Sequence, residues 1–315
     1  MRPPLRLVFR SIFLPGLLAL ALAAPLASAK PKVALVMKSL ANEFFLTMEN
    51  GAREHQRLHA AEYDLITNGI KDEIDTGAQI KIVDQMIVAG IDALVIAPAD
   101  SKALVRVVQK AVEAGILVVN IDNRFDPAVL QAKNLRVPFV GPDNRKGAKL
   151  VGDYLAKSLK PGDPVAIIEG ISTTTNAQAR TQGFRDAMAA AGVKVVGVQS
   201  GQWEMEKGNA VAAALLNEHP GLKALLCDND SMALGAVSAV RAAGRTGRTL
   251  VVGYDNINAI KPMLKDGRVL ATADQHAAKQ AVFGIEIALK AFAAKTPQSR
   301  LGEVIETPVD LVTAP

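Results

Sequence analysis

The 315-residue chain is half hydrophobic, has few aromatic residues and carries a formal net charge of +5. This composition suits a globular α/β protein of about two domains and argues against a disordered chain. Three of the five charges are arginines within the first ten residues, which leaves +2 for residues 30–315 and no basic block to indicate a nucleic-acid partner.

The first 29 residues have the pattern of a secretory signal peptide. Three arginines precede the uncharged stretch Ser11–Ala29, which ends in Ala27-Ser28-Ala29. A membrane anchor is the alternative, but Pro15 and Pro25 interrupt the apolar run, and the small residues at its end favour cleavage by a signal peptidase. No cysteine follows the cleavage site to carry a lipid. We therefore expect a protein that diffuses freely in the periplasm of a Gram-negative bacterium and is not embedded in the membrane.

From Lys32 onward, short apolar runs alternate with helical patterns, which predicts βαβ units and parallel sheets covered on both faces. In the first half the predicted strands are Val33–Met37, Tyr63–Thr67, Ala93–Ala97 and Leu117–Ile121, and the helices are Leu46–Leu58, Thr76–Ala89 and Ser101–Ala114. In the second half the predicted strands are Phe139–Gly141, Val165–Glu169, Val195–Val198, Ala224–Cys227 and Leu250–Tyr254, and the helices are Lys146–Ser158, Gln178–Ala191, Asn209–Asn217 and Met232–Ala243.

The pattern restarts near Val137–Asn144, which predicts two Rossmann-like lobes in tandem. A final helix, Lys279–Ala294, is expected to pack back onto the first lobe. We predict an N-terminal lobe of residues 30–141 plus about 276–304, and a C-terminal lobe of residues 142–275 plus about 305–315. No low-complexity linker is present, so short crossovers should form a hinge beside a ligand cleft.

Polar and aromatic side chains follow the predicted strands, at the sheet edge where open α/β folds bind ligands. The first lobe offers Lys38, Asn42, Phe44, Phe45, Asp100, Ser101, Asp122 and Asn123, and the second offers Arg180, Trp203, Asn229, Asp255 and Gln275. Carboxylates accept from sugar hydroxyls, Arg and Lys donate, and amides do both. Phe44 and Phe45 have no obvious core to fill, so we expect exposed rings that cover a sugar.

Several of these residues have a structural alternative. Asp100 and Ser101 precede a helix and are better explained as N-caps, and capping would explain at least one of Asp228 and Asp230. Trp203 could serve lobe packing, although its polar surroundings favour a binding role. The motifs of nucleotide-binding loops, serine hydrolases and zinc proteases are absent from the sequence. We therefore predict no catalytic residue, no metal and no cofactor.

In their order, these segments resemble the type I periplasmic sugar-binding proteins of ABC importers, the group that includes ribose- and allose-binding proteins. The resemblance covers nearly all of residues 30–315, and its most specific segments are Lys38–Phe45, Val118–Asp122, Val165–Gly170, Cys227–Ala233 and Val251–Asp255. It implies a periplasmic binding protein type I fold, with two lobes that close over a monosaccharide or a sugar alcohol. It also implies delivery to an ABC permease with its ATPase, a chemoreceptor as a further candidate partner, and a monomer.

The resemblance further implies that Asn42, Asp122, Arg180, Asn229, Asp255 and Gln275 hydrogen-bond the sugar, and that Phe44, Phe45 and Trp203 sandwich it. At the positions of Lys38 and Trp203, the sequence resembles the allose-binding branch of the family more than the ribose-binding branch. Glu43 stands where a proline is usual, and Asn123 where the ribose-type site has an arginine. These departures make a hexose or a sugar alcohol at least as good a candidate ligand as ribose.

Two other functions remain as alternatives. An exported sugar-processing enzyme would need two carboxylates at a hydrolytic separation, and Asp122 and Asp255 are available. The effector domain of a lac-repressor-like regulator would need a helix-turn-helix where the signal peptide lies.

Overall fold

Two six-stranded sheets organise the chain. The computed structural model describes Met1, residues 30–302 and residues 304–315. The predicted signal peptide, Met1 excepted, lies outside the described residues. The strands are β1 Lys32–Ser39, β2 Asp64–Ile70, β3 Ala93–Ile96, β4 Leu117–Ile121, β5 Phe139–Pro142, β6 Pro164–Glu169, β7 Lys194–Ser200, β8 Ala224–Cys227, β9 Leu250–Val252, β10 Ala271–Asp274, β11 Val304–Thr307 and β12 Asp310–Thr313.

Helices cover both faces of each sheet. They are α1 Glu43–Leu58, α2 Thr76–Val88, α3 Val105–Glu113, α4 Pro127–Ala132, α5 Asn144–Ala156, α6 Thr175–Ala190, α7 Met205–Glu218, α8 Asp230–Ala242, α9 Lys261–Lys265 and α10 Ala277–Ala293, and a 3-10 turn, Asn258–Ile260, precedes α9. Among the described helices, none combines the length and the apolar character that a membrane span requires.

The first sheet has the order β11-β5-β4-β3-β1-β2 and the second the order β12-β10-β9-β8-β6-β7. All neighbouring pairs run parallel except β10 and β12, which are antiparallel. The central strands are apolar throughout; Val33–Met37 of β1, for example, is fully buried. Such strands need cover on both faces. The predicted fold class, two Rossmann-like parallel-sheet lobes, is confirmed.

The chain passes between the two sheets at the β5–α5 junction, between β10 and α10, and between β11 and β12. Helix α10 packs on β3, β4 and α1 of the first lobe, as the sequence predicts. The predicted boundary near residue 304 differs from the strand pairing, because β11 continues the first sheet beside β5 through Thr307. The sequence pattern did not reveal β10, β11, β12, α4 or α9, which are all short.

Candidate functional site

Strand β1 and helix α1 bring Lys38 and Asn42 to the cleft between the lobes. Asn42 is the N-cap of α1: its Oδ1 accepts from the Phe44 backbone N–H at 3.0 Å. Its Nδ2 donates to Glu73 Oε1 at 3.0 Å. Lys38 is buried, and its Nζ lies 3.0 Å from Glu73 Oε2. Lys38 and Asn42 therefore share one partner, the carboxylate of Glu73.

Glu73 is a site residue that the sequence reasoning missed. It lies in the loop after β2 and its side chain is 2% exposed. We looked for ligand residues among the polar side chains that follow each predicted strand. Glu73 was overlooked because the predicted second strand ended at Thr67, whereas β2 continues to Ile70. Glu73 therefore comes three residues after the true end of the strand, at the edge that faces the cleft.

Phe44 and Phe45 are the first two aromatic residues of α1, and the expectation that their rings are exposed is wrong. Each is 3% exposed, and the two rings meet edge to face with centroids 5.1 Å apart. Lys38 of the same lobe lies over Phe45, with its Nζ 5.4 Å from the ring centroid, and reaches to 5.1 Å from the ring centroid of Trp203 in the second lobe. Both rings line the cleft.

Arg180 of α6 is the main cation of the second lobe's wall. Its side chain is 2% exposed. Its Nε donates to Asn144 Oδ1 at 2.7 Å and its Nη1 to the Asp228 carbonyl oxygen at 2.8 Å. The guanidinium also lies 3.8 Å from the Tyr254 ring centroid. These contacts fix the orientation of the planar group and leave the rest of it turned towards the cleft.

Asp255, behind β9, connects Arg180 to the crossover before α10. Its Oδ1 accepts from Gln275 Nε2 at 2.6 Å and lies 3.4 Å from Arg180 Nη1. Gln275 is held in turn by Gln280, which donates to its carbonyl oxygen at 2.9 Å. Burial raises the pKa of Asp255 to about 7, although the Arg180 guanidinium opposes this shift. Gln275, one of the predicted ligand residues, therefore lies on the segment between β10 and α10 that passes from one lobe to the other.

Trp203 forms an apolar wall of the second lobe opposite α1. The residue is 4% exposed, and its ring packs so closely on Gly170 that a Cβ at Gly170 would overlap the indole. Asn229 Nδ2 donates to the Trp203 carbonyl oxygen at 3.1 Å. The alternative that Trp203 serves only lobe packing does not explain its Nε1, which is buried and finds no hydrogen-bond partner within residues 30–302 and 304–315.

Three residues of the site have a backbone that favours glycine. The φ angles are 61° at Asp122, 69° at Trp203 and 119° at Asp255. Such angles are costly for side chains with a Cβ and tend to cluster at functional sites. The unusual backbone fits a functional cavity but is not confined to it, since Asn134, Gln202, Asn256, His276 and Lys295 also have positive φ and do not line the cavity.

Asn229, rather than Asp228 or Asp230, caps helix α8. Its Oδ1 accepts from the Met232 N–H at 2.9 Å, so the expectation that an aspartate does this is wrong. Asp228 accepts from the Gly170 N–H at 3.1 Å, and Asp230 from the Ile257 N–H at 3.1 Å. Both aspartates therefore anchor loops behind the site.

Asn123 does not line the cleft. Its Nδ2 donates to the Pro98 carbonyl oxygen at 2.9 Å, and its Oδ1 accepts from Ser101 and Thr175 hydroxyls, each at 3.2 Å. Asp100 accepts from the N–H groups of Lys102 and Ala103 at 2.8 Å, which belong to the turn before α3. The N-cap of α3 is Leu104, so the interpretation of Asp100 and Ser101 as N-caps of this helix is wrong. The structure thus separates Asn123 from the other ten predicted ligand residues.

Those ten residues surround one cavity between the lobes. They are joined by Glu73 and Asn176, and the full lining is Lys38, Asn42, Phe44, Phe45, Glu73, Asp122, Asn176, Arg180, Trp203, Asn229, Asp255 and Gln275. No group of His, Cys, Asp and Glu that could hold a metal ion occurs within the described ranges.

Among the residues that the structure describes, three buried atoms of the lining make no hydrogen bond: Asp122 Oδ2, Trp203 Nε1 and Glu73 Oε2, the last of which has the Lys38 ammonium beside it as an ion-pair partner. Burial also raises the pKa of Asp122, against the opposing effect of Lys38 and Arg180. Buried polar atoms without partners are rare because each one is costly. The cavity therefore presents two acceptors and one donor to a ligand.

The sequence profile of the periplasmic binding protein domain matches residues 33–296. This chain belongs to the periplasmic binding protein family. Membership implies a periplasmic location, while the signal peptide itself stays a prediction. The chain is 75% identical over 286 residues to the D-ribose/D-allose-binding protein of Pseudomonas aeruginosa, with 91% of this chain and 90% of that protein covered. It is 32% identical to the D-allose-binding periplasmic protein of Escherichia coli, over 84% of this chain and 86% of that protein.

Solved structures of the family agree with the fold. An ABC transporter solute-binding protein from Burkholderia multivorans, with an unknown ligand described as alpha-D-erythrofuranose, has a TM-score of 0.90 and 74% identity, over 91% of this chain and 100% of that one. A periplasmic solute-binding protein from Actinobacillus succinogenes with bound D-allose has a TM-score of 0.82 and 35% identity, over 90% and 98%. The predicted class, the sugar-binding proteins of ABC importers, is confirmed.

Proposed function

We propose that the cavity binds one neutral monosaccharide, a hexose or a pentose, or a related sugar alcohol. The observation that carries this proposal is the set of buried atoms on Asp122, Trp203 and the Lys38-paired Glu73 that make no hydrogen bond within the described part of the chain. A hydroxyl group both donates and accepts, so a molecule with several hydroxyls can satisfy two acceptors and a donor at once. The apolar faces of Phe45 and Trp203 suit the C–H surface of a sugar ring.

The charge of the lining favours a neutral ligand. Lys38 and Arg180 carry positive charge, and each already lies beside a carboxylate, Glu73 and Asp255 respectively. An anionic ligand would have to approach three carboxylates in a buried space, which is unfavourable at short range. A polyhydroxyl compound without charge avoids this cost.

D-Allose and D-ribose are the first ligands to test. The relative at 75% identity is named for both sugars. The two sugars have the same configuration at carbons 2 to 4, so one set of protein groups can bind the same three hydroxyls in each. Lys38 and Glu73 add polar contacts on the wall of the first lobe. They could accommodate the additional hydroxyl of a hexose.

Ligand residues come from both lobes, which supports binding by hinge closure. Lys38, Asn42, Glu73 and Asp122 belong to the first lobe, and Arg180, Asn176, Trp203, Asn229 and Asp255 to the second. A ligand that contacts both walls binds the closed form better than the open form and shifts the population towards it. The closed, loaded protein then delivers its ligand to an ABC permease and its ATPase, with a chemoreceptor as a further candidate partner. We expect a periplasmic monomer, exported by cleavage after Ala29.

A thermal-shift screen over pentoses, hexoses and polyols tests this function. A specific ligand raises the melting temperature in proportion to the logarithm of its concentration over Kd. We expect D-allose or D-ribose to produce the largest shift and calorimetry to give one site per chain. Absence of a shift with every monosaccharide and polyol would refute the proposal. Turnover of any sugar during incubation would instead support the alternative of an exported enzyme.

A further inference from the structure

Outside the cavity, the side chain of Glu43 in the first lobe bonds directly to the second lobe. Glu43 is the first residue of α1, and Asn258 and Ala259 begin the 3-10 turn that leads into α9. Glu43 Oε1 accepts from the Asn258 N–H at 2.8 Å, and Oε2 accepts from the Ala259 N–H at 3.1 Å. A single carboxylate thus uses both oxygens to cap a helical turn of the opposite lobe.

These N–H groups belong to the start of a helical segment, where no carbonyl of the same segment can accept from them. A carboxylate is a good partner because the hydrogen bonds are charge-assisted. When the lobes separate, the N–H groups and the carboxylate must return to water. The two bonds therefore exist only in the closed form and favour it over the open form.

Further contacts join the lobes near α6, the first helix after β6. Asp100 Oδ2 accepts from the Thr173 hydroxyl at 2.8 Å, and Ser101 Oγ accepts from the Thr175 N–H at 3.0 Å. Asn123 accepts from the Thr175 hydroxyl. Neither these bonds nor those of Glu43 involve a residue that lines the cavity.

We propose that Glu43 sets the ligand affinity of this protein from outside the cavity, by stabilising the closed form through its bonds to Asn258 and Ala259. The inference rests on the proposed function, because it needs a ligand whose binding is coupled to closure. The apparent affinity of a ligand falls with the fraction of protein in the binding-competent form. Loss of the two bonds therefore weakens binding without the removal of any ligand contact. Glu43 therefore acts on binding indirectly, by holding the two lobes together.

The test compares Glu43→Gln with Glu206→Gln. The glutamine keeps the size of Glu43 but cannot offer two charged acceptors to two N–H groups. Glu206 is a matched control because it also lies in the first turn of a helix, α7, and is exposed. Kd is measured by calorimetry with D-allose and D-ribose, and the association and dissociation rates are measured by stopped flow.

For Glu43→Gln we expect Kd to rise about tenfold, with most of the change in the dissociation rate. The melting temperature should fall in the presence of saturating ligand and stay unchanged without ligand. Glu206→Gln should match the wild type in all measurements. Unaltered binding constants for Glu43→Gln, or an equal loss of melting temperature with and without ligand, would overturn the inference. If the wild type binds no sugar, the proposed function fails instead.

Discussion

The ammonium group of Lys38 lies 3.0 Å from the carboxylate of Glu73, and both side chains are almost completely buried in the wall of the cavity. A buried ion pair seldom increases stability, because the cost of removing two charges from water is as large as their attraction. Asn42 also donates to Glu73 and fixes its orientation. The pair is therefore best explained by what it can offer to a hydroxyl group: an acceptor and a donor side by side.

Glu73→Gln is expected to weaken sugar binding at least about tenfold, because a charged acceptor is replaced by a neutral one. The glutamine can still accept from Asn42, but it leaves the buried Lys38 ammonium without a carboxylate, so the melting temperature should fall as well. Calorimetry with D-allose and D-ribose measures the change. Glu49→Gln is the control, since Glu49 is a buried acid that pairs with Arg53 away from the cavity. Equal affinities of the Glu73 and Glu49 variants would contradict the assignment.

Asp122→Asn is expected to weaken ligand binding and to stabilise the protein without ligand. Burial raises the pKa of Asp122, so the folded protein holds this carboxylate at a cost that a neutral amide avoids. Asparagine also tolerates the φ of 61°. We expect the melting temperature without ligand to rise by about 2 °C, and Kd to rise about tenfold or more.

The control for this variant is Asp126→Asn. Asp126 caps α4, and an asparagine can do the same. Calorimetry and thermal melting of this control should match the wild type. A melting temperature that falls in Asp122→Asn without ligand would show that the carboxylate stabilises the fold, contrary to the expectation.

Trp203 should report ligand binding by its fluorescence, because it is the single tryptophan of the chain and lines the cavity. In the closed structure the indole lies near Lys38 and Arg180, with centroid distances of 5.1 and 5.4 Å. Closure brings the ring out of water, so the emission should shift to shorter wavelength as ligand is added. The titration should give the same Kd as calorimetry.

Trp203→Phe should abolish this signal and raise Kd about tenfold, through the loss of the indole N–H and of part of the apolar wall. Its binding is then measured by calorimetry alone. Emission that is unaffected by a ligand which calorimetry detects would show that Trp203 stays outside the binding event.

Asp228 should make the stability dependent on pH. Burial raises its pKa to about 8, although the hydrogen bond from the Gly170 N–H opposes this shift. Between about pH 4 and 8 the unfolded chain has released this proton and the folded protein keeps it. The unfolded state then binds fewer protons, so the free energy of unfolding falls as the pH rises.

Asp228→Asn has no proton to release at this position, so its stability should fall less over the same range. We expect the difference in free energy of unfolding between variant and wild type to change by at least about 1 kcal/mol between pH 4 and 8, in favour of the variant. Urea titrations at a series of pH values measure it. The other titrating groups are common to both proteins and cancel in the difference. Parallel curves would refute the raised pKa.

The sequence predicted the sheet architecture well because fully buried parallel strands leave long apolar runs, as in β1. It failed for β10 and β11, which have four residues each and too few side chains for a visible period. The site was predicted where a residue directly follows a predicted strand, as with Lys38 after Val33–Met37 and Asp255 after Leu250–Tyr254. Asn123 follows the same rule but points towards Ser101 and Thr175, because side-chain direction depends on packing that the sequence does not display.

The exposure of Phe44 and Phe45 could not be inferred from α1 alone, since the cavity that they line is completed by residues of a lobe distant in sequence. Glu43 shows the same limit: its backbone partners, Asn258 and Ala259, carry no sequence signal at all. Contacts between lobes depend on how the lobes are placed, and a local pattern does not contain that information.

Strands β11 and β12 also affect how the protein should be handled. Each is the outermost strand of its sheet, so a short segment near residues 304–313 covers β5 of one lobe and β10 of the other. Removal of this segment would leave unpaired backbone groups on both sheets, and uncovered strands of this kind promote intermolecular pairing. A truncation at about residue 303 should therefore aggregate, even though every residue that lines the cavity would still be present.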